Sequence, residues 1–412
     1  MECGPRLRAP GDALDRSRKD FRLNKSVLFV GTCYYNAWYL SRALRKRGWR
    51  ATVLTYPGDM SEVYGHGWDV RLEFDRRPTA LARRSAKVLE LFLSHKVIHF
   101  SGVHNLRMLY FCDPHRWRNE TGADVRWLKR LGKKIVYSHT GCLDGVSQTS
   151  FSKWGETPVC NECPWQHVPN ICGDEVNLRW GKLRNSLCDY QISMGGNRVD
   201  YNDDPRVHEI QQFYCLDPVV WNPDMTIPAA FRLPNANGTV RIYHSVGNYD
   251  LRTDAVTKVN LKSTHIYVPL IRRLKEDGLP VELIFVKDRP STEVKYYQAQ
   301  SDIVCDMLTF GFFGANVREA LMLGKPVVCY LRGEWLDSIR REQPDFVAEL
   351  PVVSATPETV EAVLRDLILN PDKRREVGRR GREFALKWYS ADRAAAVLDR
   401  IYTDLIQGKS AP

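Results

Sequence analysis

Residues 311–328 read GFFGANVREALMLGKPVV. A glycine-punctuated loop passes into a helical pattern carrying one acid, Glu319, and then directly into the apolar pair Val327 and Val328. Gly314 and Ala315 precede a helix that Asn316 is placed to begin, and the free N–H groups of such a start, with the positive end of the helix dipole, attract anions. The spacing Asn316-x-x-Glu319 is also that of a capping box, in which the acid merely satisfies the N-cap amide. Spacing alone leaves both readings open.

Around this stretch, strands and helices alternate. VRIYHSVG (240–247), STHIYVPLIRRLKEDG (263–278), VELIFVKD (281–288), TEVKYYQAQ (292–300), DIVCDML (302–308) and VVCYL (327–331) form one array. Upstream, SVLFVGT (26–32), YNAWYLSRALRKRGW (35–49), ATVLTY (51–56), ALARRSAKVLELFLS (80–94), KVIHFSG (96–102), WLKRLGK (127–133) and KIVYSHT (134–140) form another, with CDYQISM (188–194) and QQFYCLD (211–217) behind it. Strand, glycine turn, helix and strand make a βαβ unit with parallel strands, whose ligands sit at the strands' C-terminal ends. The expected organisation is an arm over 1–24, an N-terminal Rossmann-like domain over 25–222 with a cysteine-rich insertion at 142–172, and a Pro- and Asn-rich linker over 223–239. A second Rossmann-like domain follows over 240–388, and a helix within 389–412 packs back towards the first domain.

With 412 residues, two cores are the default. The net charge of +11 favours an anionic partner. Nucleic acid is not the expected one, since neither an aromatic-basic RNA motif nor a basic DNA-reading helix is present. The basic run at 373–382 reads as the solvated face of a surface helix. No window approaches the roughly 18 apolar residues of a membrane helix, and the first thirty residues lack a signal-peptide core. The expectation is a cytoplasmic protein, with peripheral attachment to the inner membrane left open.

The stretch 301–328 resembles the donor segment of the group 1 glycosyltransferases of GT-B fold, through Asp302, Phe313, Gly314, Glu319, Ala320, Leu321, Met322, Gly324, Lys325, Pro326, Val327 and Val328. IYHSVGN (242–248) is similar to that family's first nucleotide-domain strand and loop, and Ser263 stands where its helix start usually has glycine. The resemblance implies an α/β fold, GT-B, with two Rossmann-like domains whose parallel sheets face a cleft. It implies transfer of a sugar from a nucleotide diphosphate-sugar of UDP or GDP type, with retention and no catalytic metal cofactor, to a glycan, lipid-linked or small-molecule acceptor in polysaccharide biosynthesis. Glu319 then holds the ribose hydroxyls, and Gly31, Ser245, Asn248, Arg252, Lys262, Thr264, Gly314, Ala315 and Asn316 surround the donor. Lys262, with Arg252 as its rival, neutralises the leaving diphosphate, His139 is the second catalytic candidate, and Asn36 and His104 line the acceptor side. One departure is Gly311, where many members have a glutamate. The alternatives are a nucleotide-sugar epimerase and a non-catalytic nucleotide-binding relative.

Cys160-x-x-Cys163, with Cys142 and Cys172 outlying, has the makings of a structural zinc site, because four thiolates suit tetrahedral zinc. The alternative is that these cysteines are small buried apolar residues.

Overall fold

The computed structural model describes residues 24–409, apart from 32–33, 60–61, 63, 65, 103, 118–119, 142–143, 154–158, 167, 169–171, 194–197 and 236. Except for Asn24, the arm expected over 1–24 lies outside these residues.

Two parallel sheets organise the chain. The first comprises β1 (Ser26–Val30), β2 (Arg50–Thr55), β3 (Val70–Arg71), β4 (Val97–Ser101), β5 (Lys134–Ser138), β6 (Tyr190–Ile192) and β7 (Val207–His208), in the order β3-β2-β1-β4-β5-β6-β7. Val27 pairs with both Ala51 and Val97, which centres β1 in the sheet. Every residue of β1 and β4 is buried, as expected of strands covered on both faces and seen in their unbroken apolar runs. Helices α1 (Asn36–Lys46), α2 (Pro78–Ser94), α3 (Ala123–Arg130) and α4 (Asp174–Leu187) flank it.

The second sheet comprises β8 (Val240–Val246), β9 (Val281–Lys287), β10 (Ile303–Cys305) and β11 (Val327–Val328), in the order β11-β10-β8-β9. Its helices include α5 (Thr264–Glu276), α6 (Ser291–Ala299), α7 (Ala315–Met322) and α8 (Pro371–Trp388). The final helix, α9 (Ala391–Ile406), packs on α1 of the first half, where Tyr402 Oη meets His99 Nδ1 at 2.5 Å. One hydrophobic cluster runs through both halves, from Phe29 and Leu40 through Trp221 to Val317 and Leu321.

The chain passes from the first half to the second beyond Leu216 and returns at Tyr389 and Ser390. These crossings lie side by side: Leu216 N donates to Tyr389 O at 2.7 Å, and Ala391 N donates to Leu216 O at 2.9 Å. QQFYCLD supplies this pin. It forms no ladder strand of its own but a 3₁₀ turn over Gln211–Phe213, followed by the bridge from Leu216 to Ser390.

The basic run at 373–382 lies in α8, yet two of its arginines are not freely solvated. Arg374 Nη1 donates to the carbonyls of Leu367 and Ile368, and Arg382 Nη1 donates to that of Trp221 at 2.8 Å. Two glycines in the same run let α8 approach the segment behind α7. A Cβ at Gly378 would overlap the carbonyl of Gly324, and one at Gly381 would stand 3.1 Å from Leu321 Cδ2. Gly378→Val is expected to lower stability by about 1–3 kcal/mol through overpacking, read as a reduced urea midpoint; an unchanged midpoint would show that the seam is loose.

Candidate functional site

The candidate site lies where the C-terminal ends of β8 and β10 meet the start of α7. Gly314 is the N-cap of α7 and no side chain caps it; Asn316 is the second residue inside the helix. The Glu319 carboxylate turns away from the N-cap and accepts hydrogen bonds from Tyr35 Oη at 2.5 Å and Gln298 Nε2 at 3.2 Å. The capping-box reading therefore does not hold. Burial raises the Glu319 carboxyl to about 7, against the lowering effect of hydrogen bonds from Tyr35 and Gln298 and of the Arg318 and Lys262 charges. Burial, and then Glu319 itself, push the Tyr35 phenol well above its ordinary value, so it remains a donor.

Two cavities lie at this end of α7, and Glu319 lines the smaller. The smaller, about 80 Å³, is bounded by Ser245, Ala315, Asn316 and Glu319 of the second half and by Tyr64 of the first. Asn316 Oδ1 accepts from Gln298 Nε2 at 2.6 Å, while the buried Nδ2 of Asn316 has no hydrogen-bond partner among the described residues. The larger cavity, about 290 Å³, lies between the cysteine stretch and the Gly314 loop. Tyr34, Arg252 and Lys262 stand in both walls, so the two candidate cations occupy the passage between the cavities. Lys262 Nζ is held 2.7 Å from Oδ1 of the fully buried Asp306, whose Oδ2 has no hydrogen-bond partner among the described residues.

The other expected residues are distributed unevenly. Ser245, Ala315 and Asn316 line the small cavity, and Gly314 lines the large one. Thr264 is turned into the interior, with Oγ1 2.9 Å from His244 Nε2. Asn248, with φ of +52°, serves the loop by accepting from Arg252 N through its carbonyl at 3.2 Å. Gly31 packs against Asn105, which donates to Ser101 O at 2.8 Å. Asn36 is buried at the start of α1, where its carbonyl accepts from Cys215. His104 is exposed, with Nδ1 3.6 Å from Glu120 Oε2. His139 lies beneath the floor of the large cavity, behind Thr140 and Gly141. Its Nε2 is 3.3 Å from Gln191 Oε1, and burial lowers its pKa to about 3, leaving a neutral ring.

Two departures from the family pattern have physical explanations. Ser263 has φ of +60°, a conformation glycine adopts freely, and its Oγ accepts from Leu308 N at 2.9 Å. Gly311 has φ of +87°, and a Cβ there would overlap the buried Arg332 side chain. A glutamate cannot take this place.

Of the cysteines, Cys142 lies outside the described residues. Cys160, Cys163 and Cys172 line the large cavity, and burial raises each thiol. Among the described residues, no group of three or more His, Cys, Asp or Glu side chains is arranged to hold a metal ion. No described helix is long and apolar enough to cross a membrane.

Sequence reasoning missed Tyr35, Gln298 and Asp306. Tyr35 sits in the same strand–helix turn that drew attention to Asn36, and Asp306 follows the apolar run 303–305, where an acid at a strand's C-terminal end was the available signal. Nothing in sequence spacing marked Gln298, which reaches Glu319 from α6.

No family model and no curated protein matches the sequence. Solved structures do. Sucrose-phosphate synthase from Thermosynechococcus elongatus superposes with a TM-score of 0.53 at 13% identity, over 93% of this chain and 99% of that one. Anabaena Alr3699/HepE, solved with UDP, gives 0.53 at 14% identity over 92% and 100%; the same protein has also been solved with UDP-glucose. An alpha-glucosyltransferase solved with UDP and a 13-mer DNA gives 0.51 at 9% identity over 93% and 99%. The fold is GT-B, with two parallel-sheet halves facing a cleft.

The raised Glu319 carboxyl has a definite effect on stability. Between its ordinary value of 4.5 and about 7, the folded chain holds a proton that the unfolded chain lacks, so stability falls as pH rises through that window. Glu209, also buried and raised to about 7, acts in the same direction. The urea midpoint of the wild type is expected to fall more between about pH 5 and about pH 8 than that of Glu319→Gln; parallel profiles would show that Glu319 keeps an ordinary carboxyl.

Proposed function

We propose that this chain is a glycosyltransferase that binds a nucleotide diphosphate-sugar at the passage between the two cavities. The observation that carries the reading is the pair Arg252 and Lys262, which stands between a polar cavity ending on Glu319 and a larger cavity suited to the reacting groups.

In this reading the ribose of the nucleoside reaches the small cavity, with its hydroxyls donating to Glu319. The diphosphate lies at the passage, met by Lys262, Arg252 and the uncapped N–H groups of α7. The bond from the anomeric carbon to the diphosphate oxygen breaks, and its electron pair leaves on the diphosphate. A hydroxyl oxygen of the acceptor forms the new bond to that carbon, and its proton passes to the departing phosphate oxygen. Cations placed where this charge develops stabilise the transition state. The resemblance of 301–328 supports retention of configuration and a reaction without a catalytic metal.

The chain's +11 charge suits an anionic donor. UDP is the first nucleotide to test, because structures sharing this fold have been solved with it. Each oxygen of Glu319 keeps a lone pair beyond its bonds to Tyr35 and Gln298, so ribose hydroxyls can be received beside them.

Thermal unfolding with UDP, GDP, ADP and TDP tests the assignment. A nucleotide at about a hundred times its dissociation constant is expected to stabilise the wild type by roughly 2.7 kcal/mol. Glu319→Gln is expected to lose most of that response while folding normally; Lys262→Ala is expected to lose it as well, from a lowered ligand-free midpoint because the buried Asp306 loses its cation. If no diphosphate raises the midpoint, or both variants respond as the wild type does, the donor assignment is wrong.

A further inference from the structure

The large cavity differs in chemistry from the small one beside it. Among the described residues, Val146, Phe151, Trp165, Met307, Phe310 and Phe312 contribute its apolar wall. The Phe310 ring lies 5.9 Å from that of Phe151 and 4.6 Å from that of Phe312, so aromatic rings from both halves of the protein gather on one side.

Beside this apolar wall, four of the polar side chains that line the cavity are engaged within the protein, and Tyr34, Arg252 and Lys262 gather at the passage. Thr140 Oγ1 donates to Asp144 at 3.2 Å, Ser147 Oγ to Asp200 at 2.9 Å, and Asn177 Nδ2 to the Val146 carbonyl at 3.0 Å. Gln148 Nε2 lies 3.5 Å from Cys172 Sγ. The raised thiols of Cys160, Cys163 and Cys172 stay neutral and behave as small apolar groups.

This wall discriminates between classes of occupant. A sugar ring brings several hydroxyls, and each one buried without a partner costs about 1–3 kcal/mol. A flat hydrocarbon ring gains about 25 cal/mol for each Å² it buries and stacks on aromatic side chains. An apolar cavity of about 150 Å³ is enough for benzene, so about 290 Å³ accommodates two fused rings.

We propose that the large cavity is the acceptor subsite and takes a small, flat aromatic alcohol, with its hydroxyl directed towards Arg252 and Lys262. The acceptor role rests on reading the small cavity as the nucleotide site.

Equilibrium dialysis of the full-length protein with 2-naphthol, geraniol and methyl α-D-glucopyranoside, with and without UDP, tests it. Gln148→Trp, which adds bulk at a residue lining the cavity beside Cys172, is compared with the wild type. The expected result is that 2-naphthol binds more tightly than the other two, and that Gln148→Trp weakens it about tenfold or more while leaving the UDP-induced rise in melting temperature unchanged. Tighter binding of the glucoside or of geraniol overturns the proposal in favour of a glycan or a prenyl chain. A UDP response without naphthol binding overturns this inference alone. Naphthol binding without a UDP response removes the nucleotide reading, and the acceptor role falls with it.

Discussion

The hydrogen bond from Tyr35 to Glu319 joins two halves of the chain at a point where neither residue can be satisfied alone. A carboxyl buried in α7 carries a desolvation penalty that its own half meets only in part, through Gln298. The remaining oxygen takes the phenol of Tyr35 from the turn before α1. Tyr35 is in turn set by its neighbours, with ring centroids 5.4 Å from Tyr39 and 5.8 Å from Trp221. The start of α1, the domain crossing at Trp221 and α7 are thus fixed relative to one another by one polar contact inside a continuous apolar cluster.

A second constraint is electrostatic. Asp306 is fully buried at the end of β10, and a carboxylate in such a place requires a cation or several hydrogen bonds. Lys262 supplies the charge from the loop before α5 and is thereby held in the passage between the cavities. Ser263 beside it adopts a left-handed backbone and binds Leu308 N, which ties the same loop to the chain following Asp306. A lysine that would otherwise be a solvated surface residue is held by the interior of the sheet.

Much of the architecture was legible because parallel strands covered on both faces leave mainly apolar runs, as at 26–30, 97–101 and 240–246. The two-residue strands Val70–Arg71 and Val207–His208 left no such trace, since the edge of an existing sheet defines them rather than their own composition. Glu319, Lys262 and Gly314 were legible through a local pattern in a loop and the helix after it. Tyr35 and Gln298 were not, because their roles arise from packing between segments far apart in the chain. Thr264 and Asn248 were adjacent in sequence to the right loops, but backbone direction, which spacing does not encode, turned them elsewhere.

The pairing of Leu216 with Tyr389 and Ala391 places both interdomain crossings at one edge of the molecule. Two panels attached along a single line can swing but cannot slide or twist freely. Any opening of this cleft is therefore a rotation about that line, and the distance a group travels grows with its separation from it. Trp221, close to the crossing, is in ring contact with Tyr35. Tyr35 therefore lies close to that line, and in any such swing it moves less than the groups at the distal rim.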